Sequence, residues 1–468
     1  MRAGVPASTP TAARSDDLDE DDSESVTVLP AGRADCPDRR RGTVTHPQAM
    51  PVVHRPAGRA PEPARWNRQR LRSNNEWLLL ELLRTGGPSS RAQLARDTGL
   101  SKPTVSAALG SLETAGLVRE AGTLAPCRGR TAVLYRADAG AGYVLGMDVG
   151  RARLRVAVAD LAGRVVARRD VPNRARTGPG VADALVATAR ETLADAALAE
   201  GGGGIGGPGV GCGSVEGGVV RAVIGSPGVW DERRRVMRHA AHLPGWARPG
   251  LFDRIEDGLG MPVQVANDAN LAALGEYTYG AGAGSSVFAY LLVGTGVGVG
   301  LVRDGELWTG AHGAAGEIGT LQLPRPVGDL TIRQDVLLEE VVAADAVVGE
   351  AWRLGLTSVG TAEEVCAAAR AGDWAAREAI SRQAQQLAFA VAVVAAVADP
   401  ELLVLGGGLG RSADLLLPLL EEALHRTCEL RPRVVASTLG EDAVLLGAVA
   451  TALEAARLEV FVRRTAPA

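Results

Sequence analysis

The sequence predicts an α/β protein preceded by a smaller helical domain, and three observations carry that prediction. From Tyr143 onward, short β-branched apolar runs end in glycine turns and alternate with helical periods, as strands packed against helices do. The 59 glycines among 468 residues are an unusual share, and many of them punctuate those runs. Before Tyr143 the chain changes sign: residues 65–136 hold twelve Lys and Arg against five acids, a net +7 in a chain whose total is −4.

Composition narrows the class. A chain that is 46% hydrophobic and 22% charged is typical of globular proteins. No continuous apolar run reaches the roughly 18 residues that span a membrane, and Leu387–Val397 reads as a buried helix. Acidic residues stand where a signal peptide would be apolar. Five scattered cysteines (Cys36, Cys127, Cys212, Cys366, Cys428) form no metal-ligand pair and no disulfide framework, which suits a reducing cytoplasmic setting. Residues 1–64, rich in Pro, Ala, Arg and Asp, have too little apolar surface to offset ordering and are expected to be disordered.

In the basic segment, Leu79, Leu82 and Leu83 share one face of a first helix, Asn75–Arg84. Ser90 caps a second, Arg91–Asp97, and Gly99 makes the turn after it. Ser101 caps a third, with Pro103 tolerated in its first turn. Val105, Leu109 and Leu112 give that helix an inner face, and Lys102, Thr104 and Ser106 an outer one suited to base edges and phosphates. Leu117-Val118 and Val133-Leu134-Tyr135 then read as two strands around a basic tip, Arg128-Gly129-Arg130. Together these predict an α+β winged helix-turn-helix domain over residues 65–136 that binds DNA. A three-helix bundle with a merely solvated basic face is the alternative.

In the α/β module, Tyr143–Asp160 reads as two strands about a turn at Asp148-Val149-Gly150. A helix, Gly180–Leu198, a glycine-rich insertion, Gly201–Gly218, and a strand ending in Ser226-Pro227-Gly228 follow. Next comes VQVANDANLAALGEY, a strand whose carboxyl end carries Asn267 and Asp268, where side chains project into the crevice of an α/β fold. Gly294-Thr295-Gly296, with Gly298 and Gly300, reads as a turn whose backbone N–H groups approach an anion. Glu317 lies among Gly313, Gly316 and Gly319. Two plainer readings stand beside these: Asp268 as a helix N-cap, and the glycine turn as an ordinary hairpin. The remainder is mostly helical (Ala344–Leu354, Thr361–Ala371, Trp374–Val397), with a strand at Leu402–Leu405, a glycine turn at Gly406–Gly410 and a last helix, Ala443–Ala456.

In this order and spacing the motifs resemble the ROK family (repressors, open reading frames and sugar kinases), over about residues 74–460. The resemblance implies a two-lobed, actin-like and sugar-kinase-like (ribonuclease H-like) module, with lobes at 143–263 and 264–440 and a helix over 441–460 packing back on the first lobe. It implies Asp268 as general base in a kinase and Asn267, Glu317 and Glu339 as holders of sugar hydroxyls. Asp148 and Gly150 match its first phosphate motif, but Arg151, Ala152 and Arg153 replace the glycine, hydroxyl and usual lysine that follow. The family's zinc cluster is also missing: Thr320 stands for its histidine, and Leu330, Ile332 and Leu337 for its cysteines.

The sequence therefore predicts a sugar-responsive DNA-binding regulator, a repressor of carbohydrate genes. It would act as a homodimer or homotetramer on an inverted-repeat operator, with a sugar or sugar phosphate as effector and no membrane partner. Neither zinc nor ATP with Mg²⁺ is expected as a cofactor. The alternative is an ATP-dependent sugar kinase with an added DNA-binding domain; a third reading is a regulator that has lost its sugar.

Overall fold

The computed structural model describes residues 68–124, 131–199, 218–240, 243–327 and 330–466. Residues Trp66–Ala468 form one compact unit. The segment 1–64, Cys36, Cys127, Cys212 and the wing-tip residues Arg128 and Arg130 lie outside the described residues.

The first domain comprises α1 (Arg68–Gly86), β1 (Ser89–Ser90), α2 (Arg91–Thr98), α3 (Lys102–Thr114), β2 (Val118–Leu124) and β3 (Ala132–Ala137). The caps read from sequence are present. The Ser90 hydroxyl accepts from the Gln93 N–H at 3.2 Å and the Ser101 hydroxyl from the Thr104 N–H at 3.3 Å, while Gly99 turns left-handed at φ 71°. Leu79, Leu83, Leu94, Val105, Leu109 and Leu112 fill the core. Two differences appear. The first helix is longer than its apolar period, and β1 pairs with β3, making the wing sheet three-stranded in the order β1-β3-β2.

The second module follows as β4 (Tyr143–Val149), β5 (Arg153–Asp160), β6 (Val165–Pro172), α4 (Gly178–Ala199), β7 (Val219–Ser226), β8 (Val229–Asp231), β9 (Val236–Arg238), α5 (Leu251–Leu259) and β10 (Val263–Asn267). After α6 (Asp268–Tyr279) come β11 (Val287–Val293), β12 (Val297–Arg303), β13 (Glu306–Leu307), β14 (Gln322–Val327) and β15 (Leu330–Leu337). Four helices, α7 (Leu338–Val342), α8 (Ala344–Arg353), α9 (Ala362–Ala371) and α10 (Trp374–Ala398), precede β16 (Leu402–Gly406). The chain ends with α11 (Gly407–Gly410), α12 (Ala413–Thr427), β17 (Arg433–Ala436) and α13 (Ala443–Thr465).

The strand orders give the architecture. One sheet runs β10-β7-β4-β5-β6 and the other β17-β16-β11-β12-β13. Numbered within each sheet, both orders are fifth-fourth-first-second-third, with the first two strands antiparallel and the first, fourth and fifth parallel. The same half is built twice, which is the two-lobed fold expected. The lobe boundary moves, however: β10 completes the first sheet through the pair Asn267–Ser226, so a cut between residues 263 and 264 divides a strand.

Between the sheets lie α6 and α13, in a shared core with residues from both. Their crossing is glycine-tight: a Cβ on Gly447 would lie 1.8 Å from the Leu271 carbonyl oxygen, and one on Gly275 would lie 2.3 Å from that of Ala443. Helix α10 has the length and composition of a membrane-crossing segment, but half of its apolar window is buried. Leu387, Val391 and Val394 sit in the second lobe's core, so its apolarity is that of a core helix.

Helix α13 continues nine residues past the expected end at Ala456, and the extension reaches the first domain. Val460 and Phe461 are buried in that domain's core, with Phe461 edge-on to Trp77 at 5.0 Å between ring centroids. Arg464 donates to the carbonyls of Ala115, Gly116 and Ala141. The last helix thus packs on two domains, where the sequence reading gave it one. Phe461→Ala should lower stability by about 3 kcal/mol through the cavity it leaves. Amide exchange should also quicken selectively across Leu79–Val118; unchanged exchange there would show that the seat is not α13.

Candidate functional site

Strand β10 ends at Asn267 and α6 begins at Asp268, so two polar side chains meet at one helix N-terminus. Asn267 is the cap: its Oδ1 accepts from the Asn270 N–H at 3.0 Å. Its Nδ2 donates to the Gly228 carbonyl at 3.0 Å and to Glu317 Oε1 at 3.4 Å. The capping role weighed for Asp268 therefore belongs to its neighbour. Asp268 occupies the first helical turn, where its Oδ1 accepts from the Ala269 N–H at 2.8 Å and the helix dipole favours a carboxylate.

Glu317 is held by its glycine. Gly316 has φ 89°, and a Cβ there would fall 1.8 Å from the Val299 carbonyl oxygen, so only glycine lets this loop lie against β12. Glu339, in the first turn of α7, stands beside Gly319 and close enough for its charge to act on Glu317. Burial first, and Glu339 second, push the Glu317 carboxyl above its ordinary range. The Thr320 hydroxyl donates to the Glu317 carbonyl at 2.8 Å and secures the turn where the family carries histidine. The carboxylates in this array present acceptors to a hydroxyl-rich ligand, with Asn267 able to exchange its long bond to Glu317 for one to the ligand.

The glycine turn is built differently from the sequence reading. The Gly294 N–H donates to the Gly296 carbonyl at 3.0 Å, closing the β11–β12 hairpin, so that donor is spent within the turn. A Cβ on Gly300 would lie 2.3 Å from the Ala269 carbonyl oxygen and one on Gly298 3.1 Å from the Ala269 methyl group. These two glycines seat α6 against the strand. The hairpin alternative describes the turn, with the Thr295 side chain half-buried in it.

The first phosphate-like turn is likewise closed. The Gly150 N–H donates to the Arg153 carbonyl at 3.0 Å, and Asn173 binds the carbonyls of Gly150 and Ala152. Asp148, 5% exposed, lies directly across the β4–β5 ladder from Arg155 and accepts from its guanidinium at 3.1 Å. Arg155 also pairs with Asp170 at 3.3 Å and with Glu441, which Arg411 engages at 2.8 Å. Burial outweighs Arg155's charge and pushes the Asp148 carboxyl up to about 7. Arg151 reaches Asp345 in the first turn of α8 at 3.6 Å, an exposed ion pair between the lobes. Sequence reasoning missed Arg155; the available signal was one arginine interrupting the apolar run of β5.

In the first domain, α3 buries Val105, Ala108, Leu109 and Leu112 and leaves Lys102 and Ser106 exposed. Thr104 is half-buried, its hydroxyl 2.8 Å from that of Ser101. Lysine in a first turn opposes the helix dipole, and none of α1, α2 and α3 carries an acid there. That local cost is accepted on a face aimed outward, as a surface for polyanions requires. Where the family's zinc cluster would lie, β14 and β15 form an antiparallel hairpin and Leu337 is half-buried. The side chains of Leu330 and Ile332 lie outside the described residues. Among the described residues, no three His, Cys, Asp or Glu side chains gather to hold a metal.

The ROK family profile matches residues 144–455. The chain belongs to the ROK family. A MarR family profile matches residues 72–123, giving this ROK protein a winged-helix domain ahead of the family fold. A glucokinase of Halalkalibacterium halodurans is 31% identical over 326 residues, 65% of this chain and 93% of its own length. A putative xylose repressor of Caldicellulosiruptor sp. is 25% identical over 401 residues, 82% of this chain and 96% of its own. Among solved structures, a ROK family transcriptional regulator homologous to the E. coli MLC protein shares the fold at TM-score 0.65 and 23% identity, covering 84% of this chain and 99% of its own. A Streptomyces griseus ROK glucokinase, solved with glucose and AMPPNP, has TM-score 0.54 and 28% identity, over 67% and 100%.

The Asp148 network gives a pH test. Its folded pKa of about 7 lies above the ordinary aspartate value of about 3.9. Its stabilising contribution is therefore complete below that lower value and lost as pH rises through about 7. Between pH 5 and 8 the melting temperature of the native protein should fall relative to that of Asp148→Asn, whose curve should be flatter. Parallel curves would show Asp148 to be ionised throughout.

Proposed function

We propose that this ROK protein is a transcriptional repressor whose operator affinity is set by a sugar in the interlobe cleft, and that it transfers no phosphoryl group. One observation carries the reading. The hydroxyl-holding set (Asn267, Asp268, Glu317, Glu339) is retained, while the phosphate-side Asp148 is paired with Arg155 inside the protein. An aspartate so engaged, beside a turn that has exchanged glycine and threonine for arginine and alanine, offers no cradle to a nucleotide with Mg²⁺. The winged-helix domain supports the operator half of the reading, and the repressor relatives agree with it. Sugar would act by population shift, favouring one arrangement of lobes and of paired recognition helices on an inverted repeat. Coupling of about 1–3 kcal/mol is enough to change occupancy several-fold. A homodimer or homotetramer acting in the cytoplasm, without zinc, completes the proposal.

The second reading, a hexose kinase with a DNA-binding domain, draws on Asp268 and on the glucokinase relatives. In that reading Asp268 takes the proton from the attacking hydroxyl. The two are separated by ADP release. With common hexoses and ATP no sugar-dependent ADP should form, and Asp268→Asn should abolish the sugar's effect on operator affinity while leaving sugar-free DNA binding intact. Turnover that disappears in Asp268→Asn would establish the kinase.

Operator contact has its own test. Binding should weaken steeply with salt, because Arg and Lys displace counterions from DNA. Lys102→Ala with Thr104→Ala should weaken specific binding at least tenfold more than binding to random DNA, measured by fluorescence anisotropy. An equal loss on both DNAs would leave the pair touching phosphate alone.

A further inference from the structure

The seam between the DNA-binding domain and the first lobe holds a cavity of about 210 Å³. Trp77, Leu80, Leu83 and Leu117 wall it on the domain side, and Leu161 and Val460 on the lobe side. At this volume, below the roughly 300–1,000 Å³ of drug-sized sites, it fits a fragment-sized ligand. It lies apart from the interlobe cleft and shares no residue with it.

Three arginines, Arg84, Arg136 and Arg457, and two acids, Glu81 and Asp138, are the charged residues of the lining. Both acids are committed. Glu81 takes Arg84 through three hydrogen bonds between 2.6 and 3.1 Å. Asp138 pairs with Arg119 at 3.5 Å and accepts from the Gly140 N–H. Neither Arg136 nor Arg457 forms an ion pair among the described residues, although the charges of Glu81, already held by Arg84, and of Asp160 act on Arg457 and partly offset its cost. Arg457, half-buried, donates its Nε to the Leu161 carbonyl at 3.0 Å, while its terminal nitrogens bond no described residue. Burial, then the charge of Arg84, holds its pKa below the ordinary value. A desolvated cation with a like-charged neighbour is costly until an anion arrives.

We infer that this seam is a second effector site, which takes a small amphipathic monocarboxylate with its aliphatic tail among the leucines and its carboxylate on Arg457 and Arg136. A sugar does not suit it, because the apolar walls leave hydroxyls unsatisfied. The occupant would bridge α1, from the DNA-binding domain, and α13, from the body. It would therefore favour one seating of the recognition helix, and DNA and ligand would affect each other's binding reciprocally.

The test uses the full chain and saturation-transfer NMR, with hexanoate as the probe and hexanamide as its neutral isostere. Hexanoate should bind, and hexanamide should bind at least tenfold more weakly. Arg457→Met, which keeps the stem and removes the charge, should cost hexanoate tenfold or more. Ala162→Leu, in the exposed turn at the cavity's edge, should do the same by filling space, and it keeps the test open if the first variant does not fold. Asp268→Asn should leave hexanoate binding unchanged, which separates this site from the sugar cleft. Absence of hexanoate binding, equal binding of the amide, or indifference to both Arg457→Met and Ala162→Leu would overturn the inference.

Discussion

The crossing of α6 and α13 is the constraint on which the rest of the structure depends. Backbone meets backbone there because Gly275 and Gly447 carry no side chain where one would collide with a carbonyl of the opposing helix. Both the candidate sugar site and the first domain are anchored to one or other of these helices. The N-terminus of α6 carries Asn267 and Asp268. Its far end is fixed by Glu276, fully buried, which accepts from the backbone N–H groups of Ala281 and Leu439 and from the hydroxyls of Ser437 and Thr438. The start of α13 adjoins Glu441 and Asp442, through which Arg155 and Arg168 fasten the first lobe, and its end is planted in the DNA-binding domain.

Much of this was legible in the sequence, and for physical reasons. Ser90, Gly99 and Ser101 announce the helix-turn-helix because caps and left-handed turns are local and depend on few neighbours. Strands such as Tyr143–Val149 are buried along their whole length, so composition alone marks them. The Asn267–Glu317 contact spans fifty residues and emerged from motif order, since no local rule joins the two.

What stayed hidden depends on partners far away in the chain. The last turns of α13 carry no local sign of burial because Arg457, Glu459, Arg463 and Arg464 interrupt their apolar residues; only tertiary placement makes Val460 and Phe461 core. The packing of Gly298 and Gly300 against Ala269 was not foreseen, because a glycine needed for close packing and one needed for ligand approach are identical in sequence. Arg155 was overlooked because the alternation of a strand does not reveal that its cross-strand neighbour is an aspartate.

The nine added residues of α13 also set a mechanical scale. From the crossing at Gly447 to Arg464 the helix extends roughly 26 Å at 1.5 Å per residue. Pivoted at a crossing that tolerates no sliding, it is a lever arm: a tilt of about 5° displaces its tip by roughly 2 Å over that length. Two recognition helices that must enter successive major grooves tolerate little error in their separation. Under the proposed function, a cleft whose lobes shift by a fraction of that distance would control operator fit without any rearrangement inside the winged-helix domain, which would be carried as a rigid load.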